Sequence, residues 1–235
     1  GTSHEENSLL PRTPVSQVLN RIETDLIEAS EMLGTSYQGG GKLRPNKWTA
    51  LALLARVYLL LEEWQKAETT ASQIIQSSQY TLVNALSSAF LRNSAETIWE
   101  IGSPNDAYNT DQGSLFIPSS STVRPNFALT PLLLASFEYD DLRLKHCIRT
   151  NVVDGQTYHY PAKYIERGAG NPAKECNIAF RLAEIYLIRA VARSKLLDFP
   201  NALDDLNTVR QRAGLPPVSV NTIETFSAAL EKERQ

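Results

Sequence analysis

Lys47-Trp48-Thr49-Ala50-Leu51-Ala52-Leu53-Leu54-Ala55-Arg56-Val57-Tyr58-Leu59-Leu60-Leu61-Glu62-Glu63-Trp64-Gln65-Lys66-Ala67-Glu68-Thr69-Thr70-Ala71-Ser72-Gln73-Ile74-Ile75 is the stretch on which the fold turns. Counting Trp48 as the first place of a 34-residue tetratricopeptide repeat, Leu51, Leu54, Ala55, Tyr58, Trp64, Ala67, Ala71 and Ile74 take places 4, 7, 8, 11, 17, 20, 24 and 27. Small residues at places 8 and 20 have a physical reason: two helices cross closely there, and a larger side chain would wedge them apart. The aromatics at places 11 and 17 fill the space beside that crossing. The stretch predicts helices over about Asn46–Leu61 and Trp64–Ser77, folded into an antiparallel hairpin across Glu62-Glu63.

Upstream, Val18, Ile22, Leu26 and Ala29 share one face at helical spacing, which predicts a helix over Pro14–Leu33 with Pro14 in its first turn. Gly34 and the Gly39-Gly40-Gly41 run end it. Downstream, a second hairpin is expected over Ile178–Leu197 and Pro200–Ala213. With Ala202 at place 20, Ala190 falls at 8, Phe199 at 17, Leu206 at 24 and Val209 at 27, while place 11 holds Arg193 instead of an aromatic. Gly214 supplies the stop, with Pro216-Pro217 behind it. Residues 80–175 between the hairpins are rich in Ser, Asn, Pro and aromatics and far too long for a turn between repeats. They read as an insertion packed on the scaffold, with short strands at Thr97–Ile101 and Thr157–Tyr164 and a short helix at Pro131–Tyr139. A further helix starts at Thr222 and runs to Gln235. The expected fold is mainly α: tetratricopeptide-like hairpins in an α-α superhelix, carrying a long irregular insertion with short β-strands. It is expected as one domain over 1–235, divided into 14–79, 80–175, 176–215 and 216–235.

Composition narrows the function classes. The chain has 235 residues and a net charge of −3, with no Lys/Arg block, and its pI is near 5.7. Phosphate backbones demand concentrated positive charge, so nucleic acid is not an expected partner. The longest apolar stretch, Leu51–Leu61, is interrupted by Arg56 and too short to cross a bilayer. Gly1-Thr2-Ser3-His4 reads as an expression scar or a cut within a longer protein. Cys147 and Cys176 are too few for a disulfide framework or a four-ligand zinc site; one disulfide is open to them, and two reduced thiols are expected.

Several stretches resemble one family. Residues 47–59 and the following Trp64-Gln65-Lys66-Ala67 are similar to a repeat helix pair of SusD/RagB proteins. Phe137 with Asp140-Asp141 and Arg143 resembles an F-x-x-x-D-x-R segment of that family. The most specific likeness is Arg181-Leu182-Ala183-Glu184-Ile185-Tyr186-Leu187-Ile188-Arg189-Ala190, followed by Asp205-Leu206-Asn207, Val209-Arg210, and Arg212-Ala213-Gly214-Leu215. One departure is Val191, where family members usually carry Glu. The resemblance implies a central piece of a surface-exposed, outer-membrane nutrient-binding lipoprotein. Such a protein captures oligosaccharides or peptides for a SusC-like TonB-dependent transporter, and meets the membrane only through an N-terminal lipid anchor outside this chain.

Glu138, Asp140 and Asp141 invite a glycosidase reading, but acids flanking a short helix are expected to pair with Arg143 and Lys145. His146-Cys147 lacks a second pair at metal-ligand spacing. No nucleophile elbow, phosphate loop or dinucleotide fingerprint occurs, so neither catalytic residues, metal nor cofactor is expected. Sugar rings stack on aromatic faces while Asn, Asp and Arg meet their hydroxyls. The loop Asn105–Phe127 offers that mixture in Tyr108, Asn109, Asp111, Phe116, Arg124 and Asn126, although Phe116 and Phe127 equally suit anchoring the loop. Tyr158 and Tyr160 alternate with His159 and share one strand face, a second candidate surface. Trp99 is expected in the core, and Trp48 and Trp64, at repeat positions, are expected to be structural. The competing function is an intracellular tetratricopeptide adaptor, from which the long aromatic insertion distinguishes this chain.

Overall fold

Asn46 opens the decisive hairpin. Its side chain accepts a hydrogen bond from the Thr49 amide at 3.1 Å, and Thr49 Oγ1 accepts from the Asn46 amide at 3.3 Å, a reciprocal capping box. The computed structural model describes residues 3–4, 11–103, 107–170, 172–220 and 222–234. Gly1, Thr2, Asn105 and Gln235, which enter the sequence reading above, lie outside the described residues.

The scaffold helices are α1 (Val15–Met32), α2 (Lys47–Leu60) and α3 (Trp64–Gln76), then α7 (Leu182–Lys195), α8 (Phe199–Arg212) and α9 (Ile223–Arg234). Consecutive helices pack as neighbours, and α3 packs on α7, which fuses the two hairpins into one layer. Ala55, Ala67 and Ala71 are fully buried at the first crossing, and Ala190 and Ala202 at the second. Both hairpins turn by the same device. After α2, Glu62 adopts φ 58°, its amide donates to Leu59 O at 3.2 Å, and the Glu63 amide donates to Tyr58 O at 2.9 Å. After α7, Leu197 adopts φ 63°, donating to Ser194 O at 3.2 Å, and Asp198 donates to Arg193 O at 2.9 Å. These are Schellman turns with a non-glycine residue in the left-handed place.

Arg193, where the repeat pattern calls for an aromatic, is held instead by charge. It reaches Asp205 at 2.9 Å and Glu68 at 3.2 Å, while Arg189 grips Asp205 at 2.9 and 2.6 Å. The network joins α3, α7 and α8 across their contact. Val191 packs against a second apolar cluster formed by Ala190, Ala202, Leu206, Phe226 and Leu230, where α9 seats.

The structure departs from the sequence reading in four places, three of them in the insertion and one at the start of the second hairpin. Residues 177–181 are not the first turn of a helix but strand β4, antiparallel to β1 (Thr97–Ile101), because they pair backbone to backbone before α7 begins. The second hairpin strand is β3 (Gln156–Pro161), and its partner β2 (Ile148–Val153) was not foreseen. Asp154 and Gly155 make the two-residue turn, both with positive φ, as a primed hairpin turn demands. Helix α5 is shorter than expected (Pro131–Ser136), since Phe137 is already extended. Two further short helices, α4 (Asp111–Phe116) and α6 (Leu142–Cys147), start at side-chain caps from Thr110 and Asp141. Cys147 and Cys176 form no disulfide among the described residues. Among the described residues, no helix is long and apolar enough to cross a membrane.

Candidate functional site: an aromatic and polar face of the insertion

Opposed residues of a β-hairpin share a face, so Asn151, Tyr158 and Tyr160 stand on one side of β2–β3. The loop after α4 crosses that side. Asn151 Nδ2 donates to Ser120 O at 3.0 Å and to Val123 O at 2.8 Å, clamping the loop to the hairpin. Tyr160 is only 5% exposed, packs with Ile117 and Ala162, and meets Asn151 Oδ1 at 3.2 Å through its hydroxyl. Tyr160 is therefore committed to fastening the loop, not offered to solvent. Its face-mate Tyr158 lies nearer the hairpin tip, with the Arg124 guanidinium 5.0 Å from its ring centroid and its hydroxyl donating to Gln156 at 2.7 Å. An exposed guanidinium layered on a phenol presents a flat platform with polar edges.

Asn109 is also withdrawn from the surface. Its amide oxygen accepts from the Lys174 and Glu175 amides at 2.8 and 3.1 Å, and its nitrogen donates to Gly168 O at 3.2 Å. This buried staple leaves neighbouring Tyr108 at 51% exposure, bridged to Ala169. Asp111 is exposed at the start of α4, and Asn126 is exposed on the loop. Phe116 and Phe127 pack edge to face at 5.5 Å with Phe127 half exposed, so the two rings meet each other and not the scaffold core. The structure thus brings Arg124 to Tyr158 and Phe116 to Phe127. No hydrogen bond or ring contact among the described residues joins Tyr108 to either pair.

The acids resolve into ion pairs, with Arg143 as expected for Asp141 but not with Lys145 for Glu138. Asp141 binds Arg143 at 2.8 Å, but Glu138 binds Arg210 at 2.7 Å and Lys232 at 3.6 Å; Lys145 holds none of them. Hydrogen bonding to Arg210 holds the Glu138 carboxyl below its usual range. A carboxyl kept ionised is a poor general acid. Among the described residues, no group of His, Cys, Asp and Glu is placed to hold a metal ion. What the sequence reading missed is a cationic cavity beside these pairs, lined by Lys163, Arg181 and Arg212. Its residues are far apart in sequence and carry no shared motif.

The fold and this face define a helical-repeat scaffold bearing a mixed insertion, with the exposed aromatics on the insertion. Comparison with known proteins gives that class a family. Residues 148–235 match the model described as "SusD family", and residues 2–59 match one described as "Starch-binding associating with outer membrane". The chain belongs to the SusD/RagB family. It is 24% identical to SusD-like protein P25 of Formosa agariphila, over 89% of this chain and 49% of that protein. Among solved structures it resembles a SusD-like protein of Bacteroides fragilis (TM-score 0.81, 21% identity, 99% of this chain and 59% of that one). It also resembles a SusD-like carbohydrate-binding protein of Bacteroides vulgatus (TM-score 0.75, 22% identity, 95% of this chain and 49% of that one). The chain spans about half the length of these relatives.

Proposed function

We propose that this chain is part of a ligand-capturing subunit at the outward face of the outer membrane, lipid-anchored in the full-length protein. It binds oligosaccharide, or peptide, and passes it to a SusC-like TonB-dependent transporter. The observation that carries the reading is the Arg124–Tyr158 platform, with exposed Tyr108, on the insertion of a SusD-type scaffold. A sugar ring can lie on such a face while the Arg124 guanidinium and the Gln156 amide meet its hydroxyls. The family description as starch-binding and outer-membrane-associated supports the same reading, as does a carbohydrate-binding relative. The ion-paired acids support a binder over an enzyme. The adaptor alternative is not favoured, since both family matches are to SusD-type proteins.

The test is a glycan and peptide array followed by calorimetry on the best hit. Tyr158→Ala and Tyr108→Ala are each expected to weaken binding by about tenfold or more, as loss of a stacking face should. Trp64→Ala serves as a scaffold control. Unchanged binding in both tyrosine variants would remove this face as the site. Co-purification of a TonB-dependent transporter with the full-length protein tests the partner.

A further inference from the structure

A cavity of about 360 Å³ opens where α5, α6 and β2 face the ends of β4, α8 and α9. One wall is apolar, built from Phe90, Leu129, Leu133, Phe137 and Ile148. Apart from the exposed Arg234, the charged groups on and directly behind the rest of the lining fall into two groups. In the first, Arg143, Arg210 and Lys232 face Asp141, Glu138 and Glu233, three cations against three carboxylates. That group is balanced.

The second group is not. Glu96, with a fully buried side chain, serves both Arg181 at 3.0 Å and Arg212. Arg212 Nε is buried without a hydrogen-bond partner. Lys163 stands 4.6 Å from the Phe90 ring centroid, with the Arg181 guanidinium 5.1 Å from the same ring, and it forms no ion pair among the described residues. Glu96 therefore answers the two arginines and leaves Lys163 without a carboxylate, and burial together with Arg181 pushes the Lys163 ammonium below its ordinary pKa. Cys147 does not make up the difference, because burial pushes its thiol pKa up and keeps it neutral. Unbalanced positive charge beside an apolar wall is costly unless an anion is supplied.

We infer that this cavity is a second ligand site, for a small monocarboxylate with an apolar body. The carboxylate is received by Lys163 and Arg212, and the apolar body lies against Leu133 and Phe137. The site is separate from the glycan-type face and does not depend on it. A cavity of this size is within the range of small-molecule sites.

Phenylbutyrate is the probe, titrated by calorimetry into the 235-residue chain. It is expected to bind about tenfold or more tightly than the neutral phenylbutanamide and than inorganic phosphate, since both halves of the site are needed. Lys163→Met should weaken it by about tenfold, the loss of one charged contact. Leu133→Trp, which fills the apolar half, should abolish it, and Tyr108→Ala should leave it unchanged. Phenylbutyrate should also slow alkylation of Cys147, read by mass spectrometry. Equal binding of the amide, equal binding of phosphate, no binding at millimolar acid, or binding untouched by Leu133→Trp would each overturn the assignment. If Lys163→Met fails to fold by circular dichroism, Leu133→Trp and Cys147 protection decide it.

Discussion

Replacing Glu100 by Gln is expected to stabilise the protein at neutral pH. Glu100 lies on β1 with its side chain fully buried; Oε1 accepts from the Asn93 amide at 2.7 Å, and Oε2 has no hydrogen-bond partner. Lys42 and Arg92 both favour its charge, but the Lys42 ammonium spends its hydrogen bonds on Ser94 O at 2.7 Å and Thr97 O at 2.6 Å. Burial is the largest influence on the carboxyl and raises its pKa, outweighing the Asn93 amide, the Cys176 thiol and Lys42. The sign follows from linkage. A carboxyl whose folded pKa exceeds its unfolded value of about 4.3 contributes stability that is present below that value. That contribution is lost as pH rises through the raised folded pKa. Across that window the wild type should lose stability relative to Glu100→Gln by up to about 1.4 kcal/mol per pH unit. Above it, removing a charged, half-satisfied acceptor is worth about 1–3 kcal/mol, the cost of one unpaired buried group. For a chain of this size that corresponds to a rise in Tm of roughly 2–4 °C per kcal/mol. Urea denaturation from pH 4 to 8 on both proteins is the assay, and their difference isolates Glu100 from other buried acids such as Glu175 and Glu233. A variant less stable than wild type at pH 7.5, with an unchanged pH slope, would show that the folded protein favours the ionised carboxylate, and would refute the reasoning.

Three further outcomes follow from the packing and turns. Ala71→Leu, at a fully buried helix crossing, should cost about 1–3 kcal/mol or more in urea denaturation, whereas a similar change on an exposed helix face should not. Leu197→Gly should raise stability by up to about 1 kcal/mol by thermal melting, because the residue is 72% exposed and held at φ 63°. Gly113→Ala should destabilise the α4 region, since the new Cβ would sit 2.1 Å from Glu166 O. Faster hydrogen exchange over 109–118 and 165–170 would report it, and unchanged exchange would mean that the backbone approach is not required.

The decisive hairpin could be read from sequence because its constraints are local and periodic. Ala55, Ala67 and Ala71 are small where helices touch, and the Asn46–Thr49 cap spans only three residues. The same grammar located the second hairpin through Ala190 and Ala202, despite Arg193. It failed at 177–181, where a strand adjoins a helix without a break in composition. Pairing with β1, some eighty residues earlier, decides that backbone. The candidate site divided in the same way. Tyr158 and Tyr160 were correctly placed on one strand face by their alternation. Only the packing of Ile117 and the Asn151 clamp shows that one of them is buried and the other available.

The helical-repeat scaffold and the family likeness are legible in the order of residues, since both reside in spacings within a few turns of helix. Only tertiary structure settles which aromatics of the insertion face solvent, and that Lys163, Arg181 and Arg212 share one cavity with Glu96 paired to the two arginines. Burial and charge balance are properties of neighbours in space. In an insertion without periodicity, nothing in the order of residues specifies who those neighbours are.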